Sequence, residues 1–308
     1  MVSNRVSSLE LWRDRRGRLS ALRLVTLACV LWPAVLTGWD TWWDQLGARP
    51  INYLIHRSGF WAIVFILASL AVTPLRQVAR FGALVDVRRM IGVGAFAYAA
   101  VHISLYVADQ MFDLVKVASE IVLRVYLTIG FVTLLGVTAL AVTSNDTMVR
   151  RLGGRRWRRL HQIIYLLAVL ALIHFFQQTK SDTSVPMLAA SLFGWMMAYR
   201  LLAARWTSGD VPAWATALLT VAVAALTFAA EALWIAFQFG VSPLVVLQAA
   251  FDVEAGVRPG WIVLAAGLAA VAVGLARSTA SKWLSAWREL RPSGDTGRGE
   301  PVRQQVRP

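Results

Sequence analysis

The sequence predicts an all-α integral membrane protein. Hydrophobic residues make up 57% and charged residues 16% of its 308 positions, and the mean hydropathy is +0.57. Soluble domains are about one half apolar and about one quarter charged, so this composition excludes an ordinary soluble fold. The formal charge of +14 does not indicate a nucleic-acid partner, because basic residues flank membrane spans on the cytoplasmic side whatever the function.

Eight apolar stretches are candidates for crossing the bilayer, which takes about 20 residues. The first runs from Ser20 to Trp39 after an arginine-rich segment. No small-residue cleavage site follows it, so we expect an uncleaved helix and not a signal peptide. The second, residues 59–73, is the shortest, and Pro74 is expected to close it. The remaining predicted spans are residues 90–108, 121–142, 160–177, 185–204, 213–237 and 260–276.

The distribution of basic residues orients these spans. If both termini lie inside, the external segments contain, of the 31 Lys and Arg residues, only Arg49, Arg57, Lys116, Arg124, Lys180 and Arg258. This asymmetry predicts a multi-pass membrane protein with cytoplasmic N- and C-termini. After the last span, Trp283, Trp287 and Leu290 recur at helical spacing among basic residues, which favours a helix lying on the inner lipid surface. The chain after Pro292 is expected to be disordered.

Histidines are the candidate functional residues, because ionisable side chains inside membrane spans are costly and mark cofactor ligands, proton relays or substrate contacts. The single cysteine, Cys29, excludes an intrachain disulfide and leaves histidine as the available metal ligand. His102 follows Arg89 by thirteen residues, and His174 follows Arg159 by fifteen, on two spans that both run outward. At about 1.5 Å of rise per residue, the two histidines lie within about 3 Å of one depth, in the outer half of the membrane.

Two histidines at one depth on neighbouring helices are what a bis-histidine haem requires. Haem iron takes axial imidazoles, and a helix bundle supplies them from facing helices. The alternative is that both residues only pack helices. Gly92 and Gly94 make the third span thin enough for a porphyrin or a neighbouring helix to approach closely.

His161 lies about 20 Å along its helix from His174. Three interpretations stay open for it: a ligand of a second haem, a hydrogen bond to a propionate or a quinone, or an interfacial residue. His56 is expected in an external loop as a solvated interfacial residue. Glu231, near the outer end of the seventh span, is expected to be an interfacial acid and not a proton carrier.

Three stretches together resemble one known family. They are HRSGFWAIVFILASLAVTPLR (56–76), VRRMIGVGAFAYAAVHISLYVADQ (87–110) and TSNDTMVRRLGGRRWRRLHQIIYLLAVLALIHFF (143–176). The resemblance is to the MsrQ (YedZ) family of haem-binding membrane subunits, within the ferric-reductase-like transmembrane group. It covers residues 1–206 and implies a six-helix haem-binding bundle there. Residues 207–308 are then an extension with two transmembrane helices and a basic cytoplasmic tail.

The resemblance implies one or two b-type haems and electron transfer from the quinone pool or a cytosolic flavin reductase, with FMN also associated with the family. The acceptor would be a periplasmic molybdopterin enzyme, MsrP, which reduces methionine sulfoxide in oxidised proteins. His102 and His174 match the outer haem ligands, and His161 matches a third family histidine. The chain itself would be an electron conduit whose substrate chemistry lies in the partner.

Other functional classes stay open. Related ferric reductases continue into soluble flavin and nicotinamide domains, but no dinucleotide glycine fingerprint follows the sixth span, so we expect a separate electron donor. A stand-alone haem ferric reductase or another cytochrome b would work without a partner. A non-redox membrane protein, in which the histidines only pack helices, would be colourless when purified.

Overall fold

The computed structural model describes residues 12, 18–179, 182–206, 211–252 and 256–290. Within this part of the chain, eight helices are long and apolar enough to cross a membrane. The prediction of an all-α, multi-pass membrane protein is therefore confirmed. The disorder predicted after Pro292 lies outside the described residues.

Twelve α-helices are described. They are α1 (Ala21–Trp42), α2 (Pro50–Val78), α3 (Arg88–Asp109), α4 (Leu114–Leu123), α5 (Val125–Val142), α6 (Asp146–Leu152), α7 (Gly154–Gln162), α8 (Ile164–Gln178), α9 (Ser184–Arg205), α10 (Ala213–Phe239), α11 (Pro243–Ala249) and α12 (Pro259–Leu290). A 3-10 helix, Gly82–Val87, leads into α3, and α7 and α8 together form the fifth span. We call the end of the bundle with α6 and the start of α7 the basic face, and the end with α4 and α11 the opposite face.

Among the first five spans, α2 packs against α1, α3 and α8, and α5 packs against α3 and α8. The closest packing within this group joins α2 to α3 and α5 to α8. At Gly94 a Cβ atom would lie only 2.8 Å from the Val30 Cγ1 atom, so it is a neighbouring helix, α1, that approaches closely there. The Tyr98 hydroxyl donates to the Val30 carbonyl at 2.9 Å and fixes the same contact.

The second span is longer than the sequence predicted. Helix α2 has 29 residues, so the prediction of a short helix over residues 59–73 was wrong, and Pro74 lies inside the helix instead of closing it. Proline lacks the N–H that the carbonyl four residues earlier would normally accept. That carbonyl belongs to Leu70, and the Nη2 atom of Arg200 donates to it at 2.6 Å. The helix continues because another helix supplies the missing donor.

The same arginine is held firmly in place. Its Nη1 atom donates to the Met196 carbonyl at 3.1 Å, and its guanidinium lies 5.4 Å from the centroid of the Tyr165 ring. A charge in a membrane helix usually pairs with other groups or with backbone carbonyls. Arg200 therefore lies within α9 and joins α2, α8 and α9.

Helices α10 and α12 pack against each other and against α9. The Trp195 Nε1 atom donates to the Thr220 hydroxyl at 2.9 Å in a buried contact between α9 and α10. The eighth span and the predicted surface helix are one continuous helix, α12. Within it the exposed rings of Trp283 and Trp287 lie 6.1 Å apart, at the predicted helical spacing.

Glu231, which the sequence predicted to be an interfacial acid, pairs with an arginine. Its side chain is buried within α10, with 3% of the residue exposed. Its Oε1 atom lies 3.8 Å from Nε of Arg258, which directly precedes α12. An acid buried beside an arginine is compatible with a membrane helix because the two charges partly compensate each other. The pair links α10 to the start of α12.

Candidate cofactor site

The structure brings His102 and His174 together. Their ring centroids lie 6.4 Å apart with the planes at 82°, one ring from α3 and the other from α8. Both residues line one cavity of about 420 Å³ between α2, α3, α5 and α8. This volume falls within the range of about 300–1,000 Å³ that is typical of ligand pockets. The sequence predicted that the two histidines lie at the same height, and the structure places their rings side by side.

Each ring is held by a backbone carbonyl of the helix that faces it. The Nδ1 atom of His102 lies 2.8 Å from the Ile55 carbonyl oxygen on α2, and Nδ1 of His174 lies 2.8 Å from that of Tyr126 on α5. A carbonyl only accepts hydrogen bonds, so each Nδ1 carries the hydrogen and the neutral ring keeps the lone pair on Nε2. An imidazole oriented in this way is ready to bind a metal through Nε2.

A glycine four residues after each carbonyl makes room for the ring. A Cβ atom on Gly59 would lie 2.9 Å from Nδ1 of His102, and one on Gly130 would lie 2.8 Å from Cε1 of His174. Side chains at these positions would displace the rings. The cavity therefore has two half-sites of the same kind, each with a histidine from one helix and a carbonyl and a glycine from the helix that faces it.

Sequence reasoning missed Gly59 and Gly130 and considered the glycines of α3 instead. A signal for both was available. Glycine inside a helix costs about 1 kcal/mol relative to alanine, so one on an apolar span is a candidate for a close approach by another group. The partner of that approach, however, is visible only in the folded chain.

The cavity lining changes from polar to apolar in the same direction on all four helices. Toward the opposite face the lining includes Asn52, His56, Tyr106, Asp109, Arg124 and Gln178. Beyond the histidines it includes Ile63, Ile66, Ala99, Leu134, Val137 and Ala171. The expectation that His56 lies in an external loop was wrong, because α2 begins at Pro50 and carries His56 into the cavity wall.

Arg124, just before α5, brings a positive charge to the polar end of the cavity. It forms an ion pair with Glu120, and its Nη1 atom donates to the Tyr126 hydroxyl at 3.3 Å. The hydrogen bond to Tyr126 and the charge of Glu120 raise the pKa of Arg124. The guanidinium thus stays charged over the whole physiological range.

His161 lies in α7, near the basic face, and does not line this cavity. Its Nε2 atom is 3.1 Å from the Thr143 hydroxyl, and its ring stacks on Trp157 with centroids 4.0 Å apart. Arg88 and Arg89 lie within electrostatic range of the ring. These neighbours are polar and aromatic, and all three predicted roles of His161 stay predictions.

The paired half-sites fit a haem iron between them. Two metal–imidazole bonds of about 2 Å each, with half a ring on either side, span about 6 Å between ring centroids. The observed separation of 6.4 Å agrees with that span. Haem proteins use such axial imidazoles, and the porphyrin supplies the remaining ligands. The chemistry of the two donors and the size of the cavity therefore both suit haem.

Comparison with known proteins identifies the class to which this fold and site belong. A family model described as "Ferric reductase like transmembrane component" matches residues 58–172. The match includes His102, Gly59 and Gly130 and ends two residues before His174. The chain is thus a ferric-reductase-like transmembrane protein, and no solved structure matches it.

Individual relatives narrow this class further. The "Protein-methionine-sulfoxide reductase heme-binding subunit MsrQ" of Rhodospirillum rubrum is 41% identical over 203 residues, which cover 65% of this chain and 95% of that protein. The protein of the same name from Xanthomonas campestris pv. campestris is 41% identical over 199 residues, with 61% and 91% covered. This chain belongs to the MsrQ family. About one third of it lies beyond these alignments.

Proposed function

We propose that this chain binds b-type haem between His102 and His174 and transfers electrons across the bacterial inner membrane to a periplasmic methionine sulfoxide reductase. The observation that carries the proposal is the pair of rings 6.4 Å apart, each held by a backbone carbonyl through Nδ1. Membership of a family named for heme-binding subunits supports it. When bound, haem supplies one-electron chemistry that protein side chains lack.

The chain's own residues would hold and insulate the cofactor. His102 and His174 would ligate the iron through Nε2, while the carbonyls of Ile55 and Tyr126 keep the rings oriented. The apolar lining beyond the histidines would exclude water from the macrocycle and so influence its potential. His161 is the proposed site of interaction with a second haem, a haem propionate or a quinone, so that the chain would bind one or two haems.

The proposed electron donor is quinol or a cytosolic flavin reductase, with FMN as an associated cofactor. The proposed acceptor is a molybdopterin enzyme of the MsrP type, which would carry out the repair of oxidised proteins. The asymmetry of basic residues supports a cytoplasmic basic face with both termini on that side. The polar end of the cavity would then lie toward the periplasm, where such an acceptor could approach.

Residues 1–206 form the proposed haem-binding domain, and residues 207–308 a separate extension. The similarity to MsrQ proteins, which leaves about one third of this chain unmatched, supports that division. In the described part of the extension, α10 and α12 pack chiefly against each other and α9.

The first test is the dithionite-reduced minus oxidised absorption spectrum of the detergent-purified protein, with haem quantified per chain. We expect a b-type signal and one or two haems per chain. A flat spectrum from protein expressed with ample haem would overturn the redox proposal and leave a helix bundle whose histidines only pack. Attaching a periplasmic reporter enzyme to the C-terminus would test topology, and an active reporter would contradict the proposed orientation.

A stand-alone ferric reductase is the second candidate, and the match to the ferric reductase family model favours it. The two candidates differ in their need for a partner. If the reduced protein is reoxidised by a ferric chelate as fast as by an MsrP-type enzyme, the ferric reductase is supported. If only the enzyme reoxidises it rapidly, the electron-transfer subunit is supported.

A further inference from the structure

We infer that Arg124 and His56, on opposite walls at the polar end of the cavity, bind the two propionate carboxylates of haem. This inference rests on the proposed haem site between His102 and His174. Haem would be oriented with its carboxylate edge toward the opposite face of the bundle. Arg124 and His56 would then select a porphyrin that carries free carboxylates.

The gradient of polarity in the cavity is the first argument. Haem has two carboxylates on one edge, and the rest of its periphery is apolar. The cavity is polar at one end on each of its four helices and mainly apolar beyond the histidines, where the Thr133 hydroxyl already donates to the Ile129 carbonyl. Burying an ionised carboxylate in the apolar end would be costly without a partner, so only one orientation places both carboxylates among polar groups.

Arg124 supplies the charge. Among the described residues that line the cavity, it is the only Lys or Arg. It stands two residues before Tyr126, whose carbonyl holds His174. A guanidinium has five N–H donors, and the contacts with Glu120 and the Tyr126 hydroxyl use two of them. These contacts hold the side chain in place while donors are left for a carboxylate, the anion that this planar group binds best.

His56 supplies a donor on the other wall. It directly follows Ile55, whose carbonyl holds His102, and lies within electrostatic range of both cavity histidines. Its imidazole is exposed and can donate to a carboxylate in either protonation state. Each half-site therefore has one hydrogen-bond donor within two residues of its anchoring carbonyl. Two donors correspond to the two carboxylates of haem. Asp109, also at this end, accepts a bond from Gln110 at 2.9 Å.

Haem dimethyl ester, in which both carboxylates are masked, provides the test. Full-length protein is loaded with haem or with the ester, and the rate of loss to a haem-scavenging protein is measured. A charged hydrogen bond to a carboxylate is strong, so we expect the wild-type protein to lose the ester about tenfold faster than haem. In Arg124→Gln, haem loss should accelerate toward the rate of the ester, while loss of the ester should not change.

Lys116→Gln is the matched control. This substitution removes one positive charge near the same face, from an α4 residue that does not line the cavity. It should leave the ratio of the ester-loss rate to the haem-loss rate at its wild-type value. If Arg124→Gln does not give folded protein, Arg124→Lys and His56→Gln replace it. Each should lower the ratio of the ester-loss rate to the haem-loss rate by about twofold to threefold.

The outcomes separate the inference from the function on which it rests. Equal loss of haem and ester from the wild-type protein, or an unchanged ratio in the Arg124 and His56 variants, would overturn the propionate assignment. The haem site itself would still stand if His102→Ala and His174→Ala no longer bind haem. If those two variants retain haem normally, the proposed function fails, whatever the ester shows.

Discussion

The histidines of the fifth span lie in two different environments. His174 faces a cavity, bonds a backbone carbonyl through Nδ1 and has His102 opposite, whereas His161 bonds a hydroxyl through Nε2 and stacks on an indole. In the first environment Nε2 is left for a ligand, and in the second Nε2 is already engaged. Two residues of the same type in one span thus have different chemistry because their neighbours hold different nitrogens.

The largest expected effect is the loss of haem on removing a cavity histidine. His102→Ala or His174→Ala should abolish most haem binding, because one axial ligand is lost. His161→Ala should leave at least the cavity haem. Haem per chain in the purified, folded variants measures this difference. Equal loss of haem in all three variants would contradict the distinction between the two environments.

The next effect concerns the glycines behind the rings. Alanine at Gly59 or Gly130 should weaken haem binding by roughly tenfold or more, since overpacking a filled site costs about 1–3 kcal/mol. Gly38→Ala in α1 is the matched control, because a Cβ there would meet nothing within 4 Å. That control should keep full haem affinity and gain helix stability of up to about 1 kcal/mol. Normal haem affinity in Gly59→Ala and Gly130→Ala would show that the rings have room to move.

A third experiment separates stability from ligation. Arg200→Met removes the donor that Leu70 needs, and should lower the free energy of unfolding by about 1.5–3 kcal/mol. In a Pro74→Ala background a backbone N–H replaces that donor, so the cost of Arg200→Met should shrink. Melting curves of the four proteins measure the coupling, while the haem spectrum should stay unchanged. Independent, additive effects would contradict the link between Arg200 and Pro74.

The smallest effect is expected at His161. Thr143→Val removes its hydroxyl partner and should cost about 0.5–1.5 kcal/mol of stability. The spectrum of the cavity haem should not change, because His161 lies outside that cavity. A shift in the cavity haem signal would show that the two environments are coupled.

The sequence predicted much of the architecture. Eight spans were expected, and the described part of the chain contains eight helices long and apolar enough to cross a membrane. The similarity to MsrQ proteins agrees with the resemblance of three stretches. The failures share one cause. Pro74 and His56 were each judged by residue type and local sequence, whereas their positions depend on a distant arginine and an early helix start.

The matching heights of His102 and His174 along their helices were predicted from the sequence alone. Because a helix rises by a constant amount per residue, counting from the arginines was enough to place His102 and His174 together. Which nitrogen each ring presents, which glycine lies behind it and which polar groups share its cavity were decided only by the tertiary structure. Those properties depend on the rotation and separation of neighbouring helices, which packing fixes and no single helix encodes.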